Sequence, residues 1–192
     1  QYRLAPEGPF PAGLIDAHEA LKALRAEVGD AGLIVGGDSA GGGLAASLGV
    51  LCAAEGEPRI DALVLLSPWL DVRVTAASYA SNAATDPMFS RESAGIAAEL
   101  YLQGFDPTHP LASPLLAPIT AYPPTLISVG KGEVLLDDSR LFHDKLLAAG
   151  ADSRLSAIDG MEHVAVVRSL EMPGAAETFQ AVAGFVSEIL PG

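Results

Sequence analysis

The stretch IVGGDSAGGGLAA, residues 34–46, decides how the rest of the chain is read. Within it, Gly37, Asp38, Ser39, Ala40 and Gly41 fit the pattern G-x-S-x-G, in which a serine is held on a sharp strand-to-helix turn. So short a glycine-rich match is weak alone, because it also arises by composition. Its setting gives it weight. Residues 31–37 read as a short buried strand, and residues 41–56 as a helix of small residues suited to close packing on a sheet. The helix N-terminus would offer free N–H groups and a partial positive charge beneath the serine. Ser39 is therefore expected to be a nucleophile and the Ala40 N–H an oxyanion donor, while Asp38 orients the local backbone.

The same alternation continues outward. After a proline-rich loop, Leu14, Ala17, Leu21, Leu24 and Val28 recur at helical spacing as far as Gly29. A second buried strand lies in residues 60–70, its apolar run ending at Ser67 and Pro68, and a third in residues 123–130. Leu141, Phe142, Leu146 and Leu147 then mark a helix stopped by Gly150. A short fourth strand in residues 151–160 and an amphipathic helix in residues 174–190 complete the pattern. Strands alternating with helices imply a mostly parallel sheet flanked by helices, an α/β fold, in a single domain over residues 1–192. Residues 71–112 interrupt the alternation. Their helix and loop signals predict an insertion of the cap type over one end of the sheet, and so long an excursion is usually functional.

Bulk properties exclude several classes. Of the 192 residues 49% are apolar, and the mean hydropathy is +0.33, so widespread disorder is not expected. Lys and Arg number 11 against 24 Asp and Glu, a formal charge of −13 that would repel a phosphate backbone and argues against nucleic acid as a partner. No apolar run approaches the ~18–20 residues of a membrane span. Cys52 is the single cysteine, so no internal disulfide is implied, and its apolar setting reads as a buried, inert thiol. With no signal peptide visible, a cytoplasmic location is the expectation.

A serine hydroxyl is inert near neutral pH unless a base takes its proton and a third group orients that base. In folds of this pattern the order along the chain is serine, acid, histidine. His18 and His143 fall in helices, where a solvated position is expected, and His109 in a loop. His163 follows the last strand, where the base belongs. Glu133, Asp137 and Asp138 follow the third strand. Glu133 is nearest the strand end, whereas the two aspartates read as helix caps, so geometry favours Glu133 with Asp137 in reserve. Ser67, Trp69 and Asp71 read as a structural corner. Met88 and Phe89 are candidates to line an acyl pocket or to pack in the core. No histidine pair at ligand spacing and no dinucleotide-type glycine loop is present, so neither metal nor cofactor is implied.

The stretches YRLAPE, PFPAG, GDSAGGG, SPWLD, ASPLLAP, PPTLISVG, EVLLDD and DGMEHV, in this order, resemble the hormone-sensitive-lipase-like bacterial esterases of the α/β-hydrolase superfamily. The resemblance covers nearly the whole chain. It implies a Ser39–Glu133–His163 triad, hydrolysis of short-to-medium acyl esters and no cofactor. An acylpeptide or amide hydrolase on the same fold, or a ligand-binding relative without catalysis, are the rival readings. Two departures stand out. Glu133 occupies the position where that family commonly has aspartate, and the family's His-Gly-Gly-Gly oxyanion motif is absent. The expectation is therefore the C-terminal part of a longer enzyme, with an exposed sheet edge through which copies associate.

Overall fold

The computed structural model describes residues 1–190. Four parallel strands, β1 (Ile34–Asp38), β2 (Ala62–Leu66), β3 (Thr125–Gly130) and β4 (Ser153–Ile158), pair in the order β1-β2-β3-β4. Because all four run the same way, their C-terminal ends share one rim, and loops leaving that rim can converge.

Side chains alternate between the two faces of each strand. Leu63, Leu65 and Ile127 turn to one face and join the main core with residues of α1 (Ala12–Val28), α2 (Ala40–Glu55) and α5 (Leu136–Ala148). Ala62, Val64 and Leu126 turn to the other, where Phe185, Ala181 and Val182 of α7 (Ala175–Ile189), which follows the short α6 (Ala165–Arg168), cover them. The alternation of strands and helices expected from the periodicity is present. Two helices differ in detail. Helix α5 starts at Leu136, so Asp137 and Asp138 lie inside its first turn rather than capping it, and neither caps the helix with its side chain. His18 and His143 are not on solvated faces: His18 is half-buried 3.6 Å from Glu55, and His143 Nδ1 lies 2.8 Å from Ser153 Oγ.

Residues 71–112 hold two helices, α3 (Ser78–Ser81) and α4 (Arg91–Leu102). Helix α4 starts at a reciprocal box in which the Ser90 side chain accepts from the Ser93 N–H and the Ser93 hydroxyl meets the Ser90 backbone. The two ends of this excursion are tied to each other and to α5. Ser113 Oγ accepts from the Val72 N–H at 3.0 Å, and the Leu70 and Asp71 N–H groups donate to Asp138 Oδ2 at 3.0 and 3.1 Å.

Candidate active site

Ser39 stands between β1 and α2 with φ 52° and ψ −119°, a conformation that costs a serine on the order of 1–3 kcal/mol. The surroundings enforce it. The Ser39 N–H donates to the Leu66 carbonyl, and the Ser39 carbonyl accepts from the N–H groups of Gly43 and Trp69. Gly37 must be glycine, since a Cβ there would overlap the Gly41 carbonyl as the helix folds back over the strand. Asp38 is exposed, and its carboxylate makes no hydrogen bond among the described residues, contrary to the backbone-orienting role expected for it. Ala40 is the first residue of α2, where the N–H has no intrahelical acceptor.

Glu133 and His163 meet. His163 Nδ1 lies 2.7 Å from Glu133 Oε2, and the two residues are 2% and 1% exposed. A carboxylate so buried persists only with donors around it. Oε1 accepts from the Gly130 N–H and from the Ser67 hydroxyl, so both oxygens are engaged. With Oε2 as acceptor, the imidazole is assigned the Nδ1–H tautomer. Its Nε2 is buried without a hydrogen-bond partner among the described residues. Gly130 is a second required glycine, because a Cβ there would overlap the Met161 carbonyl of the loop that carries His163.

Asp137, the reserve acid, does not touch the imidazole; its Oδ2 accepts from the Ser78 N–H at 2.9 Å. Asp71 is a corner residue as expected, buried and bound to Arg73 at 2.7 Å. Ser67 and Trp69 do more than turn the chain. The Ser67 hydroxyl reaches Glu133, and Trp69 lines both cavities beside Ser39 and Ala40.

Those cavities differ in size. One, of about 40 Å³, is bounded by Ser39, Trp69, Tyr79, Phe89 and Ala97 among others; the second, of about 360 Å³, runs past Ala40, Trp69, Leu100 and Tyr101. Phe89 lies against both Ser39 and His163. It lines the smaller cavity with Ser39, and its ring packs edge-on to His163 with centroids 4.6 Å apart. Ser39 Oγ and His163 Nε2 share no hydrogen bond in this structure. Met88 lines neither cavity. Asp86 Oδ1 accepts the N–H groups of both Met88 and Phe89, a turn that leaves Met88 45% exposed beside Arg168 while Phe89 is half-buried.

The excursion also grips the loop that bears Glu133. The Asn82 side-chain amide donates to the Lys131 and Glu133 carbonyls, the Thr85 hydroxyl to the Gly132 carbonyl, and the Ser78 hydroxyl to the Val134 carbonyl. Asp86 Oδ2 accepts the Val134 N–H at 2.8 Å. Sequence reasoning missed these side chains. Among the described residues no cluster of three or more His, Cys, Asp or Glu side chains is placed to hold a metal ion, and no helix is long and apolar enough to cross a membrane. Cys52 is buried, and burial pushes its thiol up to about 11.

Residues 1–167 match the family model for the alpha/beta hydrolase fold. An acetyl-hydrolase of Streptomyces hygroscopicus is 39% identical over 164 residues, spanning 85% of this chain and 55% of that protein. An esterase of Acinetobacter venetianus is 31% identical, spanning 98% of this chain and 63% of its own length. The crystal structure of an esterase from the bacterial hormone-sensitive lipase family superposes with a TM-score of 0.95 at 40% identity, over 99% of this chain and 64% of that one. The structure of the esterase EstE5 soaked with p-nitrophenyl butyrate gives 0.93 at 37% identity, over 100% and 65%. The chain thus spans less than two thirds of the length of each of these relatives.

Proposed function

The chain belongs to the alpha/beta hydrolase fold family, and we propose that it carries the catalytic side chains of a carboxylic-ester hydrolase acting on short-to-medium acyl esters. One observation carries this reading. A buried carboxylate–imidazole pair with an unpartnered Nε2 lies at the rim where a serine is held in a strained elbow.

In the proposed reaction Ser39 Oγ attacks the acyl carbonyl as His163 Nε2 takes its proton. Glu133 accepts the Nδ1–H, which keeps Nε2 the basic nitrogen and sets a negative charge beside the imidazolium as it forms. The Ala40 N–H donates to the oxyanion. The imidazolium then returns the proton to the departing alcohol, and a water activated by the same nitrogen releases the acid from the acyl-enzyme. Nucleophile–base hydrogen bonds are commonly loose before substrate binds, in keeping with the absence of one here. Residues 71–112 serve as the cap: they hold the acid loop and place Phe89 against both nucleophile and base.

The test is hydrolysis of p-nitrophenyl butyrate and labelling by an organophosphate, measured on the natural protein that carries these residues. Ser39→Ala is expected to abolish labelling and to lower the rate by about 10⁴-fold or more. Unchanged hydrolysis in that variant overturns the reading. Preferential cleavage of an acyl-amino-acid amide over the aryl ester replaces it with an amide hydrolase.

A further inference from the structure

We propose that the Ser67 hydroxyl is a positioning group for acid and base together, an inference that rests on the hydrolase reading above. Ser67 stands one residue beyond β2 and is 1% exposed. Its Oγ lies 2.8 Å from Glu133 Oε1 and 3.2 Å from the backbone nitrogen of Val164, the residue that follows His163. A hydroxyl has one proton and two lone pairs. The Val164 N–H can only donate, so it takes a lone pair, and the single proton is left for Glu133 Oε1. One side chain, from an element that supplies neither partner, thereby grips the acid by its carboxylate and the base by its backbone.

The glutamate gives this grip its purpose. It has one more rotatable bond than an aspartate, and that freedom must be removed if Oε2 is to face the imidazole. The Gly130 N–H and the Ser67 hydroxyl both engage Oε1. Together they stop the carboxylate from rotating about its last bond and leave Oε2 to Nδ1. Backbone conformation does not by itself call for a serine here. Ser67 has φ 45°, in the left-handed region that glycine adopts more easily. The hydroxyl's two partners account for the residue; its backbone does not.

Ser67→Gly deletes the hydroxyl while easing the backbone, and Ser67→Ala deletes it while keeping the strain. Losing a hydrogen bond to a charged group is expected to lower kcat for p-nitrophenyl butyrate by about 10–100-fold in both variants, with KM changed less than about twofold. If the residue served only the turn, both variants would keep wild-type kcat, since alanine bears the same backbone strain as serine and glycine relieves it, and that result overturns the proposal. A second readout needs no turnover. The low-field proton resonance of His163 Nδ1–H is expected to shift or broaden in Ser67→Gly, and a resonance that does not move overturns the proposal. A wild-type protein that hydrolyses no ester refutes the hydrolase reading instead; a resonance that still responds to Ser67→Gly would uphold the positioning on its own.

Discussion

A glutamate side chain reaches about 1.5 Å farther than an aspartate, one carbon–carbon bond. At position 133 that reach ends among donors from three segments: the Gly130 N–H, the Ser67 hydroxyl and His163 Nδ1. Glu133→Asp withdraws the carboxylate from all three, and displacement by about that distance is expected to cost ~10²-fold in kcat. Glu133→Gln keeps the length but removes the charge and frees the imidazole to adopt the wrong tautomer, for an expected loss of ~10⁴-fold. Initial rates on p-nitrophenyl butyrate should therefore rank glutamate above aspartate above glutamine; the reverse order of the two variants would mean that reach matters more than charge. Ser39 was legible because a glycine-flanked serine after an apolar run has a local signature, and His163 and Glu133 because each follows a strand end. Ser67 was legible only as a corner. Its partners lie 66 and 97 positions away, and no local pattern marks a bond across that distance.

Helix α5 shows what the scale of an element adds. The sequence reads Asp137 and Asp138 as caps at the helix entry, because acidic residues ahead of an apolar run commonly cap it. They lie inside instead, and Asp138, fully buried, receives the Leu70 and Asp71 N–H groups where the excursion begins. Burial, reinforced by the negative charges of Asp71 and Asp137, pushes this carboxyl up to about 7 against the pull of the two N–H groups. In the unfolded chain it ionises near 4. Between those values the folded protein holds a proton that the unfolded chain releases. The contribution of this group to stability is therefore fully present below about pH 4 and is lost as pH rises through about 7. Asp138→Asn keeps an oxygen for the two N–H groups but carries no charge. The variant is expected to flatten the dependence between about pH 4 and pH 7, so that its urea midpoint gains on the wild type's as pH rises through that window. Equal slopes would refute the assignment.

Across the whole molecule, alternating apolar runs made the parallel sheet and its long helices readable, because burial on both faces leaves a mark every few residues. What they could not show is how the excursion between β2 and β3 is fastened, since those bonds join side chains to distant carbonyls. Strand β1 pairs only with β2 among the described residues, leaving its other edge unmatched. Unmatched edges recruit other chains, so a polypeptide of these 192 residues expressed alone is expected to elute as oligomers or aggregates, with light scattering as the check. A monodisperse monomer would refute this. The grip of Ser78, Asn82, Thr85 and Asp86 on residues 131–134 has a consequence for how such proteins diversify. On the hydrolase reading, the first half of the excursion is tied by hydrogen bonds to the loop that carries the proposed acid, and α4 joins that loop through the apolar cluster of Ala94 with Val134 and Leu135. A chimera that exchanges residues 78–86 is expected to loosen Glu133 along with the excursion, whereas a foreign helix in place of α4 must still bring small residues to positions 94 and 98, which are buried in the core.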